Sequence, residues 1–257
     1  MESRPLNAME PGDAVLAAAV AREAGALLLA LQRDGAPGAA LGDRGDAAAN
    51  ALILDRLRAA RPDDFVLSEE AADDPARCAA RRVWIVDPLD GTRDYAAHGD
   101  HWAVHVGLAI DGRPAAGAVA IPARARVYVS GAVTSLGDCA APPRMVVSRT
   151  RAPALVAEVA AMLGASAVGM GSAGVKAMAV VDGSADIYLH DGGQYEWDNC
   201  APAAVALAAG LHASRIDGTP LTYNCADPLL PDLLICRPEI AATALAAIAA
   251  VQAQRRS

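Results

Sequence analysis

Apolar residues recur at helical spacing in two segments near the start of the chain, and each segment ends at a helix-breaking signal. The first predicted helix runs from Asp13, a candidate N-cap, to Arg33. The second follows a Gly/Ala/Pro linker and runs from Asp46, again a candidate cap, to about Arg61. We therefore expect two helices before the first strand.

Short runs of β-branched and aromatic residues come next, and they predict strands. Residues 66–68 form one such run, and residues 83–86 form another that stops at Asp87 and Pro88. Strand-like runs separated by turn residues between positions 102 and 130 predict an antiparallel meander. The first half of the chain is therefore predicted to be α+β.

Strand and helix patterns alternate in the second half, which predicts a layered α/β region. A Gly/Ser/Pro-containing segment at 131–143 marks the predicted boundary, so we expect subdomains at 1–140 and 141–257. The predicted strands are 144–148, 166–170, 185–190 and 233–236, and the predicted helices are 152–163, 173–182, 198–210 and 239–254.

Composition narrows the class of protein. The chain has 257 residues and is 54% hydrophobic, enough for a sizeable core, and its net charge of −8 argues against nucleic-acid or anionic-membrane surfaces. The first twelve residues lack the apolar stretch of a signal peptide, so a cytoplasmic location is expected. Five cysteines without a C-x-x-C pair predict neither a disulfide framework nor a zinc site.

Two predicted strands end in carboxylates. Residues 83–86 lead into Asp87 and Asp90, and residues 66–68 lead into Glu69. These turns could be solvated surface turns, but two strands could also aim their acids at one point. Two charges about 4 Å apart repel by roughly 1 to 4 kcal/mol, and a divalent cation would relieve that repulsion. With oxygen ligands, including the Leu89 carbonyl, Mg²⁺ or Mn²⁺ fits better than zinc.

Three further features carry candidate chemistry. Gly91 and Thr92 follow the acidic turn and can offer backbone amides to an anion. Asp198 opens a predicted helix, where an aspartate is most often a cap. The only histidine cluster is read as loop and strand residues rather than as a metal triad. Its members are His98, His101 and His105.

Three motifs in series resemble the inositol monophosphatase superfamily of lithium-sensitive, magnesium-dependent phosphatases. They are Leu67-Ser68-Glu69-Glu70, Asp87-Pro88-Leu89-Asp90-Gly91-Thr92 and Trp197-Asp198-Asn199-Cys200-Ala201-Pro202. Within that superfamily the chain is most similar to the CysQ-type 3′(2′),5′-bisphosphate nucleotidases. The resemblance implies a layered αβαβα sandwich.

The resemblance also implies a site. It assigns two or three Mg²⁺ ions, with Mn²⁺ as an alternative, to Glu69, Asp87, Asp90, Asp198 and the Leu89 carbonyl. Asp90 and the amides of Gly91 and Thr92 would contact the substrate, and Glu69 and Thr92 would take part in catalysis. The aspartate that supports Thr92 would be Asp46, with Asp43 left open because the threonine typical of the family is absent there.

Four residues of the second half are implied in the substrate pocket, namely Arg149, Ser172, Lys176 and Asp191. Lys176 is the one lysine in a chain with 21 arginines, which favours a need for a compact ammonium over a solvated surface lysine. Asp191 could contact a sugar or polyol, or could simply end a strand.

The expected activity is hydrolysis of the 3′-phosphate of 3′-phosphoadenosine 5′-phosphate, and of its sulfated form, in sulfur assimilation. Inositol monophosphate and fructose 1,6-bisphosphate are alternative substrates, and a non-catalytic metal- or nucleotide-binding relative is a remote alternative. A haloacid-dehalogenase-type mechanism is disfavoured because two residues separate Asp87 from Asp90 where that motif has one. A homodimer is a further expectation.

Overall fold

Two long helices open the computed structural model, which describes residues 12–132, 137, 139–149 and 154–256. They are α1 (Asp13–Asp34) and α2 (Ala39–Ala60). Neither predicted cap is a cap: Gly12 is the N-cap of α1, and α2 starts after Gly38, so that Asp46 lies in the helix interior. Gly42, in the added first turns of α2, lets the helix pack closely on the segment that begins at Thr92. A Cβ there would lie 2.8 Å from the Thr92 methyl group.

The first sheet contains the predicted meander. Its strand order is β1-β2-β3-β4-β5, with β1 parallel to β2 and the other pairs antiparallel. The strands are β1 (Phe65–Ser68), β2 (Arg82–Asp90), β3 (Ala103–Ile110), β4 (Arg113–Ile121) and β5 (Arg126–Val129), and α3 (Thr92–Ala96) joins β2 to β3. β2 shifts register between Asp87 and Asp90, so the acidic turn continues the strand with an irregularity.

The second half alternates between strands and helices, as predicted. Its elements are β6 (Arg144–Ser148), α4 (Ala154–Met162), β7 (Ser166–Met170), α5 (Ala173–Val181), β8 (Ile187–His190), β9 (Gln194–Tyr195), α6 (Glu196–Ala208), β10 (His212–Ser214), β11 (Leu229–Leu230), β12 (Leu233–Cys236) and α7 (Ala241–Arg256). The second sheet has the order β10-β12-β8-β6-β7, and β9 pairs with β11. The short strands β9, β10 and β11 were not predicted. The predicted boundary at 131–143 falls partly outside the described residues, and the division near residue 140 stays a prediction.

Three apolar cores stack these elements into five layers. α1 and α2 pack on one face of the first sheet, α5 and α6 fill the space between the two sheets, and α4 and α7 cover the outer face of the second sheet. Successive side chains of β2 point to opposite faces of the sheet: Trp84 lies in the α1/α2 core and Ile85 lies in the α5/α6 core. The predicted αβαβα sandwich is confirmed.

α1 belongs to these layers. It is, within the described ranges, the one helix that is long and apolar enough to cross a membrane by length and composition, and 39% of its most apolar stretch is buried. That face packs on β4 and α2.

Two glycines of the first sheet let α6 approach closely. A Cβ on Gly107 would lie 2.8 Å from the Ala201 backbone nitrogen, and a Cβ on Gly117 would lie 3.0 Å from the Ala201 Cα. Larger residues at these positions would push α6 away from the sheet. The start of α6 is thereby held next to the end of β2.

Candidate active site

Three carboxylates from distant parts of the chain meet where β2 ends and α6 begins. Asp87 and Asp90 come from β2, and Asp198 comes from the first turn of α6. One oxygen from each of the three carboxylates lies within 4.8 Å of the others, a spacing that could hold a metal ion. The structure therefore brings together the acids of two of the three sequence motifs.

Backbone amides fix the orientation of these carboxylates. The Leu89 amide donates to Asp87 Oδ1 at 2.9 Å, and the Tyr195 amide donates to Asp198 Oδ2 at 2.6 Å. The Gly174 amide donates to Asp90 Oδ2 at 2.7 Å. Because the amides belong to regular secondary structure, they hold the three carboxylates in fixed orientations.

Glu69 supplies the fourth acid. It follows β1 and is exposed as a residue, but its carboxyl group lies close to that of Asp87. Burial of the carboxyl group raises the pKa of Glu69 to about 7; the contact with Asp87 opposes this shift, and the charge of Asp90 adds to it.

Desolvation and mutual repulsion act on the other acids in the same direction. Burial, followed by the charge of Asp90, raises the pKa of Asp198 to about 7. Burial, followed by the charges of Glu69, Asp90 and Asp198, raises the pKa of Asp87 well above its usual value. Raised pKa values in neighbouring oxygen ligands mean that positive charge is lacking at this point. The donor set fits a hard divalent cation.

Asp90 is the exception among the four. Burial alone would raise the pKa of Asp90, but contacts from His105, the charge of Lys176 and a hydrogen bond from Ser172 lower it below its usual value. His105 Nε2 lies 3.3 Å from Asp90 Oδ2, and the Ser172 hydroxyl donates to the same oxygen. Asp90 is therefore the acid of this group whose charge the surrounding protein stabilises.

Thr92 and Asp46 lie together beside the acids. The Asp46 carboxyl lies close to the Thr92 hydroxyl, and burial together with the charge of Glu70 raises the pKa of Asp46 to about 7. Thr92 Oγ1 is also 3.0 Å from the Leu89 carbonyl. Asp43 lies on the exposed face of α2. The geometry thus supports the choice of Asp46, which lies in the interior of α2 rather than at its cap.

A cavity of about 500 Å³ opens beside the acidic cluster. Its lining consists of Asp90, Gly91, Thr92, Arg93, Asp94, Arg149, Gly171, Ser172 and Asp198. Arg149 is held at the rim, with Nη1 3.5 Å from Asp94 Oδ1 and Nη2 2.5 Å from His101 Nδ1. The cavity is therefore acidic at its deep end and carries two arginines at its edge.

The predicted pocket residues divide into two pairs. Arg149 and Ser172 line the cavity, whereas Lys176 and Asp191 are not among its lining residues. Lys176 is only 5% exposed; its ammonium donates to the Ser172 carbonyl and lies 5.4 Å from the Tyr188 ring centroid. Both readings of Lys176 from the sequence, a pocket residue and a solvated lysine, therefore differ from its position beneath the pocket. Asp191 follows the last residue of β8, in agreement with the strand-end alternative.

Sequence reasoning missed four residues around the site. Arg93 and Asp94 line the cavity, and their position directly after Thr92 was an available signal. His101 accepts at Nδ1 from the Gly171 amide at 3.1 Å, and His105 contacts Asp90. The histidines had been assigned to loops and strands, and no local pattern distinguishes His105 from the rest of β3.

Comparison with known proteins gives a consistent result. The model of the inositol monophosphatase family matches residues 14–253. The chain is 52% identical over 253 residues to the 3′-phosphoadenosine 5′-phosphate phosphatase of Mycobacterium leprae, covering 92% of this chain and 93% of the relative. It is 34% identical over 194 residues to the 3′(2′),5′-bisphosphate nucleotidase CysQ of Escherichia coli K12, covering 70% and 78%. The crystal structure of CysQ from Bacteroides thetaiotaomicron aligns with a TM-score of 0.79 at 25% identity, covering 90% of this chain and 99% of that one.

Proposed function

The chain belongs to the inositol monophosphatase family, and from this premise we propose that it is a Mg²⁺-dependent phosphatase acting on the 3′-phosphate of 3′-phosphoadenosine 5′-phosphate. The products would be AMP and inorganic phosphate, and the sulfated form of the nucleotide is a second substrate. The observation that carries the proposal is the cavity, which joins an acidic cluster to a rim with Arg93 and Arg149. A bisphosphate nucleotide would place one phosphate at the acidic cluster and the other at the arginines of the rim.

The acidic residues would hold the metal. Glu69, Asp87, Asp90, Asp198 and the Leu89 carbonyl offer only oxygen atoms, and this favours two or three Mg²⁺ ions, or Mn²⁺, over softer metals. When bound, Mg²⁺ lowers the pKa of water and offsets the negative charge of the phosphoryl group. Binding would also remove the repulsion that raises the pKa of Asp198.

Thr92 and Asp46 would orient and deprotonate the attacking water. A pKa of about 7 lets Asp46 accept a proton near neutral pH. One proton would leave the water for Thr92 Oγ1 while the Thr92 proton moves to Asp46. The amides of Gly91 and Thr92, at the cavity wall, would stabilise negative charge on the phosphoryl oxygens.

Arg149 would bind the second phosphate. Its side chain is 50% exposed at the rim, and a guanidinium can bind a phosphate through two parallel hydrogen bonds. Inositol monophosphate lacks a second phosphate and would not use this contact. Arg149→Ala should therefore raise KM for the bisphosphate nucleotide about tenfold, equivalent to about 1.4 kcal/mol, with little change for a monophosphate. Arg33→Ala, at the exposed end of α1, is the matched control.

Steady-state assays of the purified protein test the proposal. The substrates are the bisphosphate nucleotide, inositol monophosphate and fructose 1,6-bisphosphate, each with and without Mg²⁺ and Li⁺. We expect at least a tenfold preference in kcat/KM for the nucleotide, dependence on Mg²⁺ and inhibition by Li⁺. A tenfold preference for inositol phosphate would replace the substrate proposal, and no turnover of any substrate would indicate a non-catalytic relative. The cytoplasmic location and the homodimer stay predictions.

A further inference from the structure

His105 occupies a central position behind the acidic cluster. It lies in β3 and is 0% exposed, and it contacts three other elements. Its Nε2 faces Asp90 at the end of β2, and its Nδ1 lies 3.0 Å from the Trp197 carbonyl at the start of α6. The ring also packs on Gly174 of α5, where any Cβ would overlap Nε2.

The two ring nitrogens have separate tasks. A carbonyl oxygen can only accept, so Nδ1 carries a proton and donates to Trp197. Nε2 is 3.3 Å from Asp90 Oδ2, within ion-pair distance but without the alignment of a hydrogen bond. The ring therefore spans the gap between the strand that carries Asp90 and the residue that precedes Asp198.

Three protein groups, from His105 and the start of α5, contact the same oxygen of Asp90, Oδ2. The Gly174 amide and the Ser172 hydroxyl donate to it, and Nε2 lies against it. All of these contacts use the same oxygen, which leaves Asp90 Oδ1 for a ligand in the cavity. The hydrogen bonds from Gly174 and Ser172 hold Asp90 against α5. His105 instead lies between Asp90 and the Trp197 carbonyl at the start of α6.

We propose that His105 is a positioning residue that ties Asp90 to the start of α6 and so sets the separation of the Asp90 and Asp198 carboxylates for metal binding. Residues that orient metal ligands typically change metal affinity by 10- to 100-fold when they are replaced. The inference rests on the proposed metal-dependent function for its biological meaning, but its test needs only metal binding.

Two substitutions separate the contacts. His105→Asn keeps a donor near the Nδ1 position for the Trp197 carbonyl, and His105→Gln keeps one near the Nε2 position for Asp90. Calorimetric titration of each full-length variant with MgCl₂, and with MnCl₂, in the absence of substrate measures the affinity. We expect both variants to bind at least tenfold more weakly than the wild type, because each keeps only one end of the bridge.

Thermal unfolding with and without Mg²⁺ distinguishes positioning from a purely structural role. A structural role would lower Tm in EDTA and leave the increase in Tm on adding Mg²⁺ unchanged, whereas positioning reduces that increase. His212→Gln is the matched control, since His212 lies in β10 and contacts Ser214. If either His105→Asn or His105→Gln binds Mg²⁺ within tenfold of the wild type, the bridge is overturned. If the wild-type protein does not hydrolyse the nucleotide, the proposed function is contradicted but this inference is not.

Discussion

The two ends of β2 carry two buried acidic clusters that differ in their counter-charges. At the start of the strand is the paired cluster, in which Asp13 and Asp64 meet Arg61 and Arg82. At its end is the open cluster of Glu69, Asp87, Asp90 and Asp198. Five residue steps along the strand, from Arg82 to Asp87 at about 3.3 Å each, place the two clusters roughly 17 Å apart.

The paired cluster is complete within the protein. Asp13 is fully buried, and its two oxygens accept from Arg61 at 2.8 Å and from Arg82 at 3.2 Å. Arg82 also donates hydrogen bonds to both oxygens of Asp64 at 2.9 Å, and the Trp84 indole donates to that carboxylate at 2.9 Å. The described ion pairs bring no arginine to the open cluster, where the positive charges of His105 and Lys176 act mainly on Asp90. The chain itself therefore neutralises the paired cluster, whereas the open cluster offers carboxylate oxygens that could hold a metal ion.

Loss of a charged oxygen ligand from the open cluster should affect turnover more strongly than any other change to the two clusters. Asp90→Asn removes a charged ligand from the open cluster while keeping an oxygen that can accept from the Gly174 amide. We expect kcat/KM to fall by about 10³-fold or more, equivalent to about 4 kcal/mol in the barrier, with little loss of folding. Asp34→Asn, an exposed residue at the end of α1, is the control. Turnover at the wild-type rate would remove Asp90 from the mechanism.

The paired cluster should respond in stability instead. Arg82→Ala leaves Asp13 and Asp64 with fewer counter-charges in a buried place, and breaking such a pair costs about 3 kcal/mol. For a protein of this length that corresponds to a fall in Tm on the order of 10 °C. Mg²⁺ affinity should not change. Arg81→Ala is the neighbouring control, because the Arg81–Asp111 pair is exposed and worth well under 1 kcal/mol. Equal Tm values for the two variants would contradict the comparison.

The pH dependence of stability should be set by the open cluster. Three of its carboxylic acids, all except Asp90, have a higher pKa in the folded than in the unfolded chain, near 7 for Asp198 and Glu69. The folded state binds protons more tightly at these three groups, so their contribution to stability is greatest at low pH and is lost as pH rises through about 7. In EDTA we expect a loss on the order of 2 kcal/mol between pH 5 and pH 8, measured by Tm. Saturating Mg²⁺ should remove most of this slope, and an unchanged slope in Mg²⁺ would show that the ion binds elsewhere.

The comparison also shows what the sequence can and cannot predict. The strands and the acids at their ends follow from local patterns, because an apolar run that ends at Asp87 predicts both a buried strand and an acid at its end. Asp13 was misread as a cap, since its partners Arg61 and Arg82 lie 48 and 69 residues away. His105 was set aside for the same reason: its contact with Trp197 spans 92 residues and depends on how closely α6 approaches the sheet. Lys176 was noticed through composition, but its burial depends on Tyr188 of another strand.

Replacing one aspartate by asparagine should change the stability of the protein only slightly, and with opposite sign in the two clusters. Asp198→Asn removes a charge that burial and Asp90 make unfavourable, while the amide oxygen can still accept from the Tyr195 amide. At pH 8 in EDTA the variant should therefore be more stable than the wild type by about 1 kcal/mol, or a few degrees in Tm. At pH 5 the gain should shrink, because the wild-type carboxyl group is already protonated there, and in saturating Mg²⁺ the wild type should become the more stable protein. Asp13→Asn, the matched change in the paired cluster, should instead destabilise the protein under all three conditions, since it removes the buried negative charge that faces Arg61 and Arg82. Destabilisation by Asp198→Asn at pH 8 in EDTA would mean that the open cluster is not strained by its own charge, and the contrast between the two ends of β2 would fail.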